Sequence, residues 1–363
     1  MPASPDPADQ DAPASPDPAD GLLADRLARA ITLAGPMPVS QFMAAANADY
    51  YAHQAAIGGD FITAPEISQM FGELIGVALA DVWERAGRPE CHYVELGPGK
   101  GTLAADALRA MAKAGLRPPV HLVETSPSLR MAQAAAVPDA TWHDDMTALS
   151  ETVPLLVVAN EFFDALPIEQ LVRATTDWRQ RLVACQDTLF LPVTGKPVPD
   201  AIIPEGLRDA PVGSIVESSP VSVGVIRALA KRLAGQGGAA LIIDYGYDGP
   251  ALGETLQAVR AHHYANPFDA PGTVDLSAHV DFATLGAAAT IAGATVHGPV
   301  PQRDFLGSLG IASRAAALAR QSPARAEDVT AAHQRLTDPA AMGTMFRVMG
   351  LTGKDWPAPV GLS

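Results

Sequence analysis

His92-Tyr93-Val94-Glu95-Leu96-Gly97-Pro98-Gly99-Lys100-Gly101 begins as an apolar run, reaches a carboxylate, and then places glycine at every second position. The run has the length of a strand, and the residues from Thr102 onward have helical spacing, so the stretch is a strand-turn-helix unit. Glycines at 97, 99 and 101 let the backbone turn tightly and approach a ligand, because they tolerate positive φ and carry no Cβ. Further short apolar runs occupy residues 120–123, 153–159 and 239–243, with helical stretches between them. Runs without polar alternation suit strands covered on both faces of a parallel sheet, so the fold class is α/β and Rossmann-like.

Several ligands suit such a loop. A dinucleotide fingerprint of the Gly-x-Gly-x-x-Gly type needs glycine at 102, where the chain has Thr102, which leaves NAD as the runner-up. A phosphate-binding Gly-x-x-x-x-Gly-Lys-Ser/Thr loop needs glycine at 94 and a hydroxyl after the lysine, but Val94 and Gly101 stand there. Glu95, two places before the first glycine, favours S-adenosylmethionine (SAM), either by meeting its cationic methionine end or by orienting the loop. Glu124 ends the next strand, where a carboxylate accepts both ribose hydroxyls by the logic of dinucleotide folds. Asp144 and Asp145 follow a third short run and are candidates for the adenine amino group, with a solvated turn as the alternative.

Working outward, residues 2–9 and 13–20 repeat the octapeptide Pro-Ala-Ser-Pro-Asp-Pro-Ala-Asp, which has no large apolar side chain and reads as a disordered acidic tail over residues 1–20. Residues 21–90 read as a helical cap, with helices at 20–33 and 39–50. Thr63 and Glu66 match a capping box opening a third helix, whose apolar face runs from Ile67 to Trp83. The remainder, 91–363, reads as the core. About eighty residues separate the third and fourth apolar runs, more than a crossover needs, so an antiparallel β/α subdomain is inserted at about 168–235. Strand-like 255–262 and 295–300, helices at 280–291 and 302–310, and a last apolar run at 345–351 complete the chain.

Asn160-Glu161-Phe162-Phe163-Asp164-Ala165-Leu166-Pro167 leaves a central strand at its carboxyl end, where doubly wound sheets place reacting groups. Asn160 with an aromatic at 163 parallels the Asn-Pro-Pro-aromatic loop of amino-methylating enzymes, whose amide and carbonyls accept hydrogen bonds from the target nitrogen. Glu161 in place of the first proline suits a guanidinium, which a carboxylate binds bidentately. Asp164 is a second carboxylate or a helix cap, and a capped helix start is the plain alternative for Asn160-Glu161. Methyl transfer from a sulfonium needs alignment and a water-poor pocket more than a metal or a covalent nucleophile.

The 363 residues, 48% hydrophobic and 18% charged, suffice for a large core. A formal net charge of −15 argues against nucleic acid or an anionic membrane surface as partner. Cys91 and Cys185 stand far apart, so neither a disulfide framework nor a zinc site is expected, and a reduced cytosol fits. His262-His263 lack metal-binding spacing, no Gly-x-Ser-x-Gly elbow supports a hydrolase, and no apolar run spans a bilayer.

Five stretches together resemble one family: Gly59-Asp60-Phe61-Ile62-Thr63-Ala64-Pro65-Glu66-Ile67-Ser68, Glu95 to Gly99, Val123-Glu124-Thr125-Ser126-Pro127, Asn160 to Pro167, and Val274-Asp275-Leu276-Ser277-Ala278-His279-Val280-Asp281-Phe282. They are similar to the class I methyltransferases related to the mitochondrial respiratory complex I assembly factor seven, over residues 21–351. The resemblance implies a seven-strand core with an inserted subdomain and an amino-terminal helical cap over the cofactor. For the mitochondrial members it implies symmetric dimethylation of an arginine on a core subunit of complex I. Carried over, Gly97, Gly99, Gly101 and Glu124 hold SAM, Thr63 sits near it under the cap, and Asn160-Glu161 face the acceptor; Ser126 and Asp145 are further candidates for the cofactor. The amino terminus departs from a mitochondrial presequence, since the repeat contains no arginine, so a bacterial, cytoplasmic copy is expected, with a homodimer as an option. Two other readings stand beside the arginine methyltransferase: a SAM-binding assembly chaperone with little catalysis, and a small-molecule N- or O-methyltransferase.

Overall fold

The computed structural model describes residues 20–53, 63–260 and 263–362. The acidic tail before Asp20, the Gly59-Asp60-Phe61-Ile62 stretch and His262 lie outside the described residues.

Seven strands build the main sheet: β1 (His92–Leu96), β2 (Val120–Val123), β3 (Thr141–His143), β4 (Leu155–Asn160), β5 (Gly238–Tyr247), β6 (Thr295–Pro301) and β7 (Phe346–Thr352). Their order is β3-β2-β1-β4-β5-β7-β6, with β7 antiparallel to both neighbours, and a two-residue strand Val280–Asp281 pairs parallel with the end of β5. The unbroken apolar runs reflect a sheet with two cores. In β4, Leu156 and Val158 enter one cluster while Leu155, Val157 and Ala159 enter the other, and in β5 Leu241 and Ile243 alternate with Ala240 and Ile242 in the same way.

Twelve helices are formed among the described residues, of which eight bear on the site: α1 (Asp20–Ala34), α2 (Val39–His53), α3 (Ala64–Ile67), α4 (Gln69–Arg85), α5 (Thr102–Lys113), α6 (Pro127–Ala136), α7 (Pro220–Gln236) and α8 (Phe282–Ile291). One face of the sheet is covered by α4 and α5, the other by α7 and α8. Helix α4 lies close on α5, because a Cβ on Gly76 would come within 2.3 Å of the Ala107 carbonyl oxygen. The helices within 21–90 therefore divide, α4 joining the main core while α1 and α2 pack with Val183, Phe190, Phe268 and Leu276 in a cluster of their own.

The capping box at Thr63 does not form. Thr63 is the N-cap of the four-residue α3 but its side chain makes no cap bond, Glu66 turns instead to Lys100 Nζ at 3.0 Å, and the chain breaks at the extended Ser68. Ser68 Oγ then accepts from Met70 N and starts α4.

Between β4 and β5 the chain forms an antiparallel sheet from Glu169–Arg173, Trp178–Gln186, Leu189–Val198 and Ile215–Ser218, joined by Met37–Pro38 from between α1 and α2. The described part of the strand-like 255–262 stretch does not join the main sheet. Gln257–Arg260 pairs with His263–Ala265 and Asp275–Ser277 in a small sheet beside α2. The helix expected from Val280 begins at Phe282, capped by Asp281 Oδ1 accepting from Thr284 N. Helices at Ile311–Gln321 and Ala326–Thr337, for which no expectation stood, pack over the Met70 end of α4.

Candidate active site

Strand order reverses between β1 and β4, since the chain runs from β1 outward to β3 and then returns to β4 and β5 on the other side. Loops leaving adjacent strands at such a point diverge and open a crevice. A cavity of about 640 Å³ lies there, lined by the glycine loop, the loop after β4, residues 124–127 after β2, and the end of α2.

Gly97, Gly99 and Gly101 have φ of 60°, 53° and 81°, which L side chains adopt only with strain. Gly97 N donates to Val123 O at 3.0 Å and Gly101 N to Pro98 O at 2.8 Å, so the loop is pinned to β2 and closed as a turn. A Cβ on Gly97 would meet Phe162 Cδ2 at 2.9 Å, whereas a Cβ on Gly99 would meet nothing within 4 Å. Glu95 is buried beneath this loop, where the Tyr93 hydroxyl donates to its Oε2 at 2.5 Å. Burial pushes its carboxyl up to about 8, with the Tyr93 bond only partly offsetting that. A carboxyl with that value is largely protonated at neutral pH, so Glu95 presents little charge to the cavity.

Glu124 follows β2 directly. Its Oε1 accepts from Ser126 N at 2.8 Å and its Oε2 from Gln133 Nε2 at 3.3 Å, leaving acceptor capacity on both oxygens. Gln133, fully buried, also donates to Gly99 O at 2.7 Å and thus ties Glu124 to the glycine loop. The Ser126 hydroxyl is engaged elsewhere: it caps α6 and donates to Tyr51 O at 2.7 Å. Asp145 is exposed at the rim, where its Oδ1 accepts from Thr147 N at 2.6 Å, while Asp144 pairs with Arg130 at 2.6 Å.

Asn160 closes β4, and Glu161 N still donates to Ile243 O at 2.9 Å before the backbone swings to φ 50° at Glu161. Glu161 Oε1 accepts from Ala64 N at 3.1 Å and Asn160 Nδ2 at 3.2 Å, so the short helix α3 braces it. Asn160 is 8% exposed and its Oδ1 has no hydrogen-bond partner among the described residues, nor has Asp164 Oδ1. Below them Asp244, wholly buried at the end of β5, accepts from Phe163 N (3.0 Å) and Asp164 N (3.2 Å) through Oδ2, and from Tyr245 N (3.0 Å) through Oδ1. Burial pushes Glu161 up to about 7, with Asp164 adding to it, and pushes Asp164 up to about 6. Asp244 is raised further by burial and by its two acidic neighbours.

Thr63, Glu95, Gly97, Gly99, Glu124, Ser126, Asp145, Asn160, Glu161 and Asp164 thus come together around one cavity. Gly101 stands just behind the loop, its would-be Cβ 3.3 Å from Ala136 Cβ, where it shapes the turn into α5. Asn47, Tyr51 and Gln133 belong to the same assembly but carry no motif, and Lys100 and Asp275 stand in quoted stretches without having been singled out. Asn47 offered one signal, an amide on an otherwise apolar helix face. Its Nδ2 donates to Ala165 O (3.0 Å) and Leu276 O (2.7 Å), and its Oδ1 accepts from Leu276 N (2.9 Å). Among the described residues no group of three or more His, Cys, Asp or Glu side chains is arranged to hold a metal ion. No described helix is long and apolar enough to cross a membrane.

The geometry fits SAM, since the glycine loop, side-chain-free at Gly99, and Glu124, with acceptor capacity left on both carboxylate oxygens, line one cavity. Residues 74–300 match the profile of a family described as S-adenosyl-L-methionine-dependent methyltransferases. The chain is 35% identical to the Drosophila melanogaster mitochondrial protein arginine methyltransferase NDUFAF7 homolog, over 91% of this chain and 85% of the fly protein. To the mouse mitochondrial protein arginine methyltransferase NDUFAF7 it is 34% identical, over 88% of this chain and 82% of that one. A Burkholderia thailandensis methyltransferase-like protein, solved with S-adenosyl-homocysteine bound, superimposes with a TM-score of 0.84 at 27% identity, covering 96% of this chain and 97% of its own. Cavity, sheet order and sequence agree: the chain belongs to the S-adenosyl-L-methionine-dependent methyltransferase family that includes the mitochondrial NDUFAF7 proteins.

Proposed function

We propose that this methyltransferase modifies an arginine side chain of a protein, and that the protein is a core subunit of respiratory complex I. The observation that carries the reading is the Asn160-Glu161-Asp164 constellation: two carboxyl groups and an amide on residues that line the same cavity as the glycine loop, with Asn160 Oδ1 and Asp164 Oδ1 buried and without a hydrogen-bond partner among the described residues. Such a wall attracts a cation rich in N–H donors, which describes guanidinium. The names of the fly and mouse relatives support the same acceptor.

In this reading the backbone at Gly97 and Gly99 cradles SAM, Gly101 sets the turn into α5, and Glu124 accepts from its ribose hydroxyls. Asp145 and Thr63 border it, while Ser126 acts through the α6 cap and its bond to the Tyr51 carbonyl. Bound SAM supplies a methyl group on a sulfonium. Glu161, braced by Ala64 N, accepts an acceptor N–H and takes the proton that this nitrogen gives up on methylation, a role suited to a carboxyl near 7. Asn160 Oδ1 fixes the orientation of the same nitrogen, and Asp164 holds the positive charge. Asp244 does not touch the acceptor but sets the loop through its backbone bonds. The loop and α3 exclude water from the transfer line.

Glu161→Gln lowers turnover by about 10²-fold or more, on the scale of a lost general base, and leaves S-adenosyl-homocysteine affinity within about twofold. Unchanged turnover overturns the role. Intact masses of complex I subunits from strains with and without the gene complete the test, since an assembly chaperone leaves them alike. Turnover with no protein present points to a small-molecule acceptor.

A further inference from the structure

Asp275 lines the cavity with Glu161 and Asp164, yet it comes from the small sheet that follows β5, more than a hundred residues from the reaction loop. The backbone around it is tied to that loop from both sides. Leu276 is held through its N–H and its carbonyl by the Asn47 amide, which also holds Ala165 O, and Ala278 N donates to Asp164 O at 2.9 Å. The Tyr51 hydroxyl donates to Asp275 Oδ1 at 2.9 Å, occupying one of its two oxygens. Three carboxyl groups therefore share this wall of the cavity. Its one lysine, Lys100, is already engaged by Glu66.

Holding carboxyls together in a partly buried place is costly unless a cation is meant to join them. Burial and the nearby Asp164 push Asp275 up to about 8, so Asp275 and, in part, Glu161 retain protons at neutral pH that an entering cation displaces. The unpartnered Asn160 Oδ1 marks where a donor belongs.

We propose that Asp275 is the second carboxylate of an acceptor clamp, gripping a guanidinium together with Glu161, and that Tyr51 is the positioning residue that presents it. This rests on the arginine reading above. Two carboxylates and an amide oxygen match the fixed planar fork of five N–H donors in guanidinium, whereas an ammonium offers three donors from one point. The clamp therefore separates arginine from lysine by shape, and α2 takes part in acceptor recognition through Tyr51.

The experiment measures binding of N-acetyl-arginine amide and N-acetyl-lysine amide to the full chain saturated with S-adenosyl-homocysteine, by calorimetry in buffers of different ionisation enthalpy. The wild type prefers the arginine probe and releases protons on binding it. Asp275→Asn keeps the Tyr51 bond and so the fold, weakens arginine binding about 10- to 100-fold, and releases fewer protons, with S-adenosyl-homocysteine affinity unchanged. Tyr51→Phe weakens it less, lowering affinity without abolishing proton release. If the wild type prefers arginine and Asp275→Asn binds it equally well, the clamp is wrong and the arginine reading stands. If the wild type binds lysine as well as arginine, or neither, the arginine reading fails and the clamp with it.

Discussion

Alanine at Gly97, Gly99 and Gly87 separates three costs that a glycine in a ligand loop combines. All three glycines have positive φ: 60°, 53° and 90°. An L residue held there costs about 1–2 kcal/mol, so each variant loses at least that from backbone strain. Gly87, exposed at the end of α4 with nothing within 4 Å of an added Cβ, gives this strain alone. Gly99 also meets nothing within 4 Å, so its variant unfolds in urea at the same cost as Gly87→Ala. At Gly97 the new methyl meets Phe162 Cδ2 at 2.9 Å, and displacing a packed ring adds about 1–3 kcal/mol. Calorimetry then distinguishes the sites by function. Gly87→Ala binds S-adenosyl-homocysteine as wild type, Gly99→Ala binds it at least about tenfold more weakly because its methyl enters the cavity, and Gly97→Ala loses both affinity and stability. Wild-type affinity in Gly99→Ala would refute the cradle, whatever the stabilities show.

Three further outcomes follow from the buried polar groups. The general-base role of Glu161 makes kcat/KM fall as pH drops through about 7, because the carboxylate must be ionised, and a profile flat from pH 6 to 8 contradicts it. Glu95, pushed up to about 8, keeps its proton in the folded chain to higher pH than in the unfolded one. It therefore removes stability as pH rises from about 4.5 to 8, and Glu95→Gln gains about 2–4 kcal/mol over wild type at pH 8 but little at pH 4.5, as urea unfolding at the two pH values reports. Asn47→Ala strips three hydrogen bonds from Ala165 and Leu276 and destabilises the chain by about 2–4 kcal/mol; a loss under 0.5 kcal/mol in urea would mean that water replaces them freely.

The local structure of the proposed cofactor half of the site was legible because it is formed by one short stretch of chain. The strand, the glycine turn, α5 and the carboxylate after β2 form one β-α-β unit of about thirty residues, and each part leaves a pattern: an apolar run, alternate glycines, a periodic helix. The α/β class was legible for the same reason, since apolar runs with helices between them indicate a mostly parallel sheet. Where reading failed, a side chain had a competing partner. Glu66 matches a capping box by spacing, but Lys100 takes its carboxylate and Pro65 and Ser68 confine the helix to one turn. The strand expected within 255–262 does form, at Gln257–Arg260, but composition does not say which sheet it joins: β7 occupies the edge of β5, and the strand pairs with Asp275–Ser277.

The acceptor half has no such local origin, and that has a physical consequence. Its groups come from α2, the loop after β4, the end of β5 and the small sheet, and the bonds joining them span up to 229 residues of sequence, as between Asn47 and Leu276. No single segment contains the pattern, because the pattern exists only once four segments are packed. Closing loops of that length is entropically expensive and must be offset by buried hydrogen bonds, and those of Asn47 and Asp244 occur at the junctions. The carboxyl cluster then adds strain that ionisation increases. The glycine loop thus leaves a strand paired on both sides, while the wall formed by Glu161, Asp164 and Asp275 depends on contacts between distant segments. A perturbation of α2 should therefore impair acceptor binding well before SAM binding, which is the order in which a methyltransferase can lose substrate recognition and still hold its methyl donor.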